Sequence, residues 1–333
     1  MNMPAHPRTV VERYAAGFDI GGTKCAVILG RISGSQKPEI IEKVRFSTGE
    51  YALPSDCIER LTSTLQIIRS KHPDCVPATL GISCGGPLDP VRGIIQSPPN
   101  LPGWDNIPIT EIVSRKTGLA VRLQNDANAC ALAEWKFGAG KGTQNMIFLT
   151  FGTGLGAGII ANGQILNGAS GMAGECGHIR LAPTGPIGYH KAGSFEGFCS
   201  GGGLAQQIRD AAEKAIDAGK PFAWCPKRSC LAFMNARIAA EAANTGDPDA
   251  IAMYAECGKR LGEGLAVLID ILNPERIVIG SIFARNENLL RPAMTEVLQK
   301  EALPGALNAC EIVPAMLGEE IGDIAALAAG FDD

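Results

Sequence analysis

The chain has 333 residues, of which 46% are hydrophobic and 19% are charged, and its formal net charge is −4. This length favours two domains, and the composition is that of a folded globular protein rather than a disordered one. The negative charge argues against nucleic acid as a partner. No apolar run approaches the ~20 residues of a membrane helix, and residues 1–16 lack the apolar centre of a signal peptide. We therefore expect a cytoplasmic protein without a membrane partner.

The eleven cysteines are scattered through apolar segments without the spacing of a disulfide framework. An odd number of cysteines in such positions predicts mostly buried free thiols in a reducing compartment. The nearest pair, in "CPKRSC" (225–230), has no second Cys/His pair beside it. That arrangement favours a structural loop over a metal site.

In chain order, the first predicted element is a β-hairpin over 15–30, where two apolar runs flank a Gly-Gly turn. The same layout recurs over 147–161. This recurrence predicts two domains related by duplication, each presenting a turn rich in backbone N–H groups to a shared cleft. The alternative is two unrelated glycine hairpins.

Further apolar runs predict strands, and helical spacing of apolar residues predicts helices. The strands are expected at 43–48, 78–84, 120–125 and 276–280. The helices are expected at 55–71, 126–137, 203–218, 249–272, 286–300 and 321–331. This order of elements indicates α/β domains with mixed sheets. We place a smaller first domain at 15–125 plus 318–333 and a larger second domain at 126–317.

The two glycine turns, "DIGGTK" (19–24) and "FGTGLGAG" (151–158), suit phosphate groups, because glycines let backbone N–H groups converge on an anion. A carboxylate before the first turn could hold a hydrated Mg²⁺. A plain hairpin turn is the alternative for either segment. Neither has the Walker spacing, and a strand rather than a helix follows the second, which argues against a dinucleotide fold. The candidate residues for phosphate and Mg²⁺ are Asp19, Gly21, Gly22, Thr23, Lys24, Thr153 and Gly154.

Six segments in succession resemble the signatures of the ROK family of bacterial sugar kinases and repressors. The resemblance implies two α/β lobes of the actin/hexokinase type, which is ribonuclease H-like, with sugar at the base of an interlobe cleft and ATP above it. It also implies transfer of the γ-phosphoryl group to a hexose hydroxyl, usually O6, and commonly a homodimer. The segments are "DIGGTK", "GGPLD", "PPNLPGW", "NDANACALAE", "FGTGLGAGI" and "GECGH", and "GEGLAVLIDILNPERIVIGS" extends the match.

Phosphoryl transfer needs a group that accepts the proton of the attacking hydroxyl, and Asp126 is the candidate. It follows the predicted strand 120–125 and begins an alanine-rich predicted helix. On local sequence alone, Asp126 or Asn125 could be only the N-cap of that helix. The resemblance favours catalysis, because Asp126 occupies the position of the family's catalytic base.

Sugar recognition requires several polar groups that pair with neighbouring hydroxyls. Without the resemblance, 98–104 is equally well a rigid turn, and a lone histidine is more often structural than functional. The spacing E-x-x-H is also too short for a zincin motif. The resemblance implies six sugar ligands: Asn100, Asn125, Asp126, Glu175, His178 and Glu196.

Family members commonly carry three cysteines that bind a structural zinc together with a histidine. Alignment on Gly193 and Glu196 places the three cysteine positions on Ile187, Tyr189 and Ser194. None of these can supply a thiolate. We therefore predict no structural zinc, and we expect Ile187 and Tyr189 to fill its space by packing.

The sequence predicts an ATP- and Mg²⁺-dependent kinase of a glucose-like hexose. The family's glycine-rich nucleotide turn reads "GSIFAR" (280–285) here, with one glycine, so the phosphoryl donor is less well defined than the sugar. One alternative is a sugar-responsive repressor, which would carry a helix-turn-helix domain before the first turn, where 18 residues precede Asp19. A second is a non-catalytic sugar-binding sensor. Residue types do not identify the hexose.

Overall fold

The structure is a computed structural model that describes residues 12–34 and 36–331. Residues 1–11, which include most of the segment considered as a signal peptide, lie outside it. The strands are β1 (Glu12–Ile20), β2 (Lys24–Ser33), β3 (Glu39–Ser47), β4 (Pro77–Cys84), β5 (Leu88–Asp89), β6 (Ile94–Ile95), β7 (Ala120–Asn125), β8 (Met146–Phe151), β9 (Leu155–Ala161), β10 (Gln164–Ile165), β11 (Ile187–Gly188), β12 (Lys191–Ala192), β13 (Arg276–Ile279) and β14 (Glu311–Pro314). The helices are α1 (Pro54–Lys71), α2 (Ile109–Thr117), α3 (Asp126–Phe137), α4 (Phe195–Phe198), α5 (Gly201–Asp217), α6 (Ala236–Asn244), α7 (Pro248–Leu272), α8 (Ile282–Glu301), α9 (Pro304–Ala309) and α10 (Ile321–Ala329).

The described chain divides into two compact units. The first contains 12–34, 36–141, 167–171 and 319–331, and the second contains 142–166 and 172–318. The units differ from the predicted domains mainly in α3, which lies in the first unit because it packs against α10. Residues 167–171 also lie there, since Asn128 Nδ2 donates to Asn167 Oδ1 (3.3 Å).

Each unit contains a five-stranded mixed sheet of the same topology. The first sheet has the order β3-β2-β1-β4-β7, and the second has the order β10-β9-β8-β13-β14. In both, an antiparallel hairpin carries one more antiparallel strand on one side and two parallel strands on the other. Both predicted glycine hairpins are therefore confirmed, and the shared topology is what a duplication would produce.

The two faces of β1 have different neighbours, because successive strand residues point to opposite faces. Phe18 and its even-numbered neighbours lie in an apolar core with Leu61 and Leu65 of α1. Gly17, on the other face, packs against Ala326 of α10. Asp19 shares that face with Gly17, so the fold directs a carboxylate toward the start of α10.

All eleven cysteines are free thiols, and seven of them are buried, as predicted. Burial raises the pKa of several of these thiols, including Cys176, where it reaches about 12. These cysteines therefore pack as small apolar side chains. No helix in the described ranges is both long and apolar enough to cross a membrane.

Candidate active site

The first glycine turn joins β1 to β2 and lies against a predicted sugar ligand. The backbone N–H of Gly21 donates to the carbonyl oxygen of Lys24 (3.1 Å), and the Thr48 hydroxyl donates to the Gly21 carbonyl oxygen (2.6 Å). A side chain at Gly22 would bring its Cβ within 2.8 Å of Asn100 Cβ. The glycine therefore allows Asn100 to lie directly against the phosphate turn.

Asp19 is a partly buried carboxylate at the edge of this turn. Burial, followed by the nearby charges of Asp323 and Asp126, raises its pKa to about 6 against the opposing effect of Lys43 and Arg45. Carboxylate oxygen is the ligand type that Mg²⁺ prefers, and this ion usually keeps several waters and binds nucleotide phosphates. Within the described ranges, no group of three or more His, Cys, Asp or Glu residues could hold a metal ion. A single carboxylate such as Asp19 fits a hydrated Mg²⁺ that a nucleotide carries, and its contact with the ion stays a prediction.

A glycine pair after β4 separates two of the predicted sugar ligands. A Cβ at Gly85 would lie 3.3 Å from Asn100 Nδ2, and one at Gly86 would lie 3.2 Å from Asn125 Nδ2. The pair therefore packs between the two side-chain amides. We assigned no role to Gly85 and Gly86 from the sequence, although two consecutive glycines directly after a buried strand were an available signal.

At the start of α3, one residue caps the helix and the next is the proposed catalytic base. Asn125 is the N-cap, and its Oδ1 accepts hydrogen bonds from the N–H groups of Ala127 (2.9 Å) and Asn128 (3.4 Å). Asp126 Oδ1 accepts a second bond from the Ala127 N–H (2.8 Å). The Asp126 side chain remains accessible to solvent, while the surrounding protein raises its pKa by desolvation. Asn125 thus caps α3, and the adjacent Asp126 keeps an accessible carboxylate.

The second glycine turn joins β8 to β9, and the start of α5 lies beside it. The Gly152 N–H donates to the Gly154 carbonyl oxygen (3.1 Å) within the turn. The N–H groups of Gly201 and Gly202 donate to the carbonyl oxygens of Gly152 (2.7 Å) and Thr153 (3.1 Å). The positive end of the α5 dipole therefore lies next to a turn predicted to bind phosphate, although the first N–H groups of α5 already donate within the protein.

Glu196 connects this turn to the remaining predicted sugar ligands in the second unit. Its Oε2 accepts a hydrogen bond from the Leu155 N–H (3.1 Å). A Cβ at Gly177 would lie 3.3 Å from Glu196 Cβ, so the segment carrying Glu175 and His178 passes beside it. Both of those side chains are exposed, as are Thr23 and Lys24 in the first unit.

The segment aligned with the family's zinc site is not held by apolar packing, so that prediction is wrong. Ile187 and Tyr189 are 56% and 65% exposed. They belong to the hairpin β11–β12, whose turn residues Tyr189 and His190 have positive φ (38° and 63°), the geometry that two-residue hairpins favour. Ser194, which is fully buried, caps α4 by accepting a hydrogen bond from Gly197 N–H (3.1 Å).

Gly188, rather than Ile187 or Tyr189, packs closely against the segment that carries Glu196. A Cβ at this position would lie 2.5 Å from Gly197 N and 2.8 Å from Glu196 Cβ. Gly188→Ala is therefore expected to destabilise the protein by about 1–3 kcal/mol and to raise KM for the sugar by displacing Glu196. Urea unfolding and steady-state kinetics measure the two effects.

Ile187→Ser in the same strand is the matched control, and it should change stability by less than about 0.5 kcal/mol. If Ile187→Ser were the more destabilising variant, the side chains rather than the backbone would hold this hairpin.

The turn after β13, which aligns with the family's nucleotide turn, adopts a glycine-type conformation with a serine. Ser281 has φ 54° and ψ −110°, a region that non-glycine residues rarely adopt. Its Oγ accepts a hydrogen bond from Arg285 Nη2 (3.0 Å) and lies close to Gly152 of the second glycine turn. The strained backbone thus lies beside a candidate phosphate site.

We expect Ser281→Gly to stabilise the protein by about 1 kcal/mol, because glycine adopts this conformation without the Cβ penalty. Thermal unfolding measures the gain. Ser281→Ala keeps the strain and removes the hydroxyl, so it should give no increase in Tm. An equal or larger increase with alanine would show that the backbone is not strained there.

The chain is similar to proteins of one family. It matches the ROK family over residues 15–329. A glucokinase of Thermotoga maritima is 31% identical over 312 residues, which cover 93% of this chain and 95% of that protein. A xylose repressor of Caldicellulosiruptor bescii is 28% identical over 86% of this chain and 70% of its own length.

Solved structures show the same relationship. The crystal structure of a ROK family glucokinase from Streptomyces griseus, in complex with glucose and AMPPNP, has a TM-score of 0.73 and 27% identity, and the match covers 95% of this chain and 99% of that one. The predicted fold class, an α/β fold of the actin/hexokinase type, is confirmed.

Proposed function

Since the chain belongs to the ROK family, we propose that it is an ATP-dependent kinase that phosphorylates a hexose, or a hexose derivative, at O6. The glucokinase relatives support the enzyme class, a sugar kinase. The Streptomyces griseus structure, which contains glucose and an ATP analogue, supports ATP as the donor. We further propose that the phosphoryl acceptor is a glucose-like sugar.

One observation in the site carries the catalytic assignment. Asn125 caps α3, so Asp126 is not needed for that purpose and keeps an accessible carboxylate. In the proposed reaction, the sugar hydroxyl attacks the γ-phosphorus and Asp126 accepts its proton. A new O–P bond forms as the bond to the leaving ADP oxygen breaks.

The other predicted residues bind and orient the reactants in this proposal. The side chains of Asn100, Asn125 and Glu196 pair with sugar hydroxyls, together with Glu175 and His178. The backbone N–H groups of the two glycine turns bind phosphate oxygens. A Mg²⁺ ion carried by the nucleotide would neutralise phosphate charge, and Asp19 would contact it through water.

All eleven cysteines are free thiols, which are typical of a reducing compartment. This supports the cytoplasm as the proposed location. A homodimer remains a prediction, as does the absence of a nucleic-acid partner. The alternative function, a non-catalytic sugar sensor related to the repressors, is favoured only by relatives such as the xylose repressor.

An ADP-release assay over a panel of sugars separates these functions. The panel contains glucose, mannose, fructose, allose and N-acetylated amino sugars, each tested with and without Mg²⁺. A kinase releases ADP with at least one sugar, only in the presence of sugar and metal ion. Sugar binding measured by calorimetry, without ADP release for any member of the panel, would instead identify a sensor.

A further inference from the structure

The helix α10 packs unusually close to the first sheet. A Cβ at Gly81 would overlap the carbonyl oxygen of Ala326, and one at Gly17 would lie 3.0 Å from Ala326 Cβ. Asp323 is one helical turn before Ala326 and is 3% exposed. The close packing therefore buries a carboxylate of α10 against the same sheet face that carries Asp19.

The strand register brings two cations to this face. Asp19 pairs with Ala26, and Ala26 pairs with Arg45 on the next strand. Directly paired residues of antiparallel strands share a face, and so do residues two apart in one strand. Lys43 therefore lies on the same face as Arg45 and Asp19.

Asp323 binds mainly Lys43, whose side chain is 19% exposed, because the more distant Arg45 is 60% exposed and its charge is screened by solvent. Asp323 Oδ2 accepts a hydrogen bond from Lys43 Nζ and lies 3.8 Å from Arg45 Nη2. The preceding residue, Gly322, is adjacent to Asp19, because a Cβ there would lie 3.4 Å from Asp19 Oδ2. The buried carboxylate that binds Lys43 therefore follows directly on a glycine that contacts Asp19, the carboxylate proposed to contact Mg²⁺.

We propose that Asp323 is a positioning residue that binds the ammonium group of Lys43 and so prevents it from pairing with Asp19. This inference rests on the proposed function of Asp19. An ion pair in a partly buried site is strong, because the surrounding protein screens it weakly. If Lys43 were released, it would pair with Asp19 and compete with the metal ion for that carboxylate.

Metal binding without turnover tests the proposal, with Mn²⁺ and ADP as the probe and electron paramagnetic resonance as the readout. Asp323→Asn is expected to raise the dissociation constant of Mn²⁺ in the presence of ADP at least tenfold. The double variant Lys43→Met/Asp323→Asn should return to within threefold of wild type, because the competing ammonium is gone.

Glu320→Gln is the matched control. Glu320 forms an ion pair with Lys37 that also links the β2–β3 region to the segment before α10, but both side chains are about half exposed. Its loss should leave Mn²⁺ affinity within twofold of wild type. An equal loss of affinity in Glu320→Gln would overturn the specific role of Asp323.

Two further results would contradict the proposal. One is unchanged Mn²⁺ affinity in Asp323→Asn, and the other is a double variant as weak as the single one. If circular dichroism shows that Asp323→Asn does not fold, Lys43→Met alone tests the proposal. Removal of a competing ammonium group should not weaken Mn²⁺ binding, so a tenfold loss of Mn²⁺ affinity in Lys43→Met would overturn the proposal. Absence of Mn²⁺ and ADP binding in the wild type would instead overturn the proposed function together with the inference.

Discussion

Asp126→Asn is expected to lower kcat by about 10²–10⁴, the usual contribution of a general base. The amide cannot accept the proton of the sugar hydroxyl, but it preserves the shape of the side chain and leaves the Asn125 cap in place. Sugar binding should therefore remain close to that of the wild type. Steady-state kinetics and isothermal titration with the preferred sugar measure the two quantities separately.

Asp56→Asn is the matched control for this variant. Asp56 is an exposed carboxylate in the first turn of α1, in the same unit, and receives a hydrogen bond from Ser55. Its substitution should change kcat by less than about twofold, because it alters only a surface charge near a helix N-terminus. Near-normal turnover in Asp126→Asn would refute its role as base.

Asp19→Asn is expected to reduce activity and to increase stability. The loss of the carboxylate should lower kcat/KM for ATP by at least about 10² if it contacts nucleotide-bound Mg²⁺. The pKa of Asp19 is raised from 3.8 to about 6, so burial disfavours its charged form. Each pKa unit corresponds to about 1.4 kcal/mol, which sets an upper limit of about 3 kcal/mol on the stabilisation at neutral pH.

The gain from Asp19→Asn should depend on pH in a defined direction. Well below pH 3.8, the aspartate is protonated in both the folded and unfolded states and the variant gains nothing, and at pH 4 the gain is still small. As the pH rises toward 6, the unfolded wild type releases its proton before the folded protein does, so the wild type loses stability. Guanidinium unfolding at pH 4 and pH 7.5 measures this difference. A gain that is equal at both pH values would contradict the raised pKa.

Helices and strands could be predicted where apolar residues recur at regular spacing over a long segment. The helix predicted at 286–300 corresponds to the second part of α8, which begins at Ile282. Asn286 has non-helical dihedrals (φ −135°, ψ 32°) and separates the first turn from this part. We did not predict α6, whose core residues are alanines, or β14, which has only four residues. Short or alanine-rich elements give a weak periodic signal.

The sequence predicts residues for the candidate site, but it does not predict how they pack. Motif resemblance indicates Asn100 and Asn125, but the glycine pair after β4 predicts only a close backbone approach and not that it lies between their two amides. The error at Ile187 and Tyr189 has a similar origin. An apolar residue type suggests burial, whereas this short hairpin exposes Ile187 in its strand and Tyr189 at its positive-φ tip.

Identification of the product by ³¹P nuclear magnetic resonance tests the central claim most directly. The protein is incubated with ATP, Mg²⁺ and each hexose of the panel, and the phosphorus signals are assigned. The account predicts ADP and a hexose 6-phosphate in equal amounts with at least one sugar, and neither product with Asp126→Asn over the same period. ADP with inorganic phosphate and no sugar phosphate, or unchanged ATP with every hexose, would contradict it.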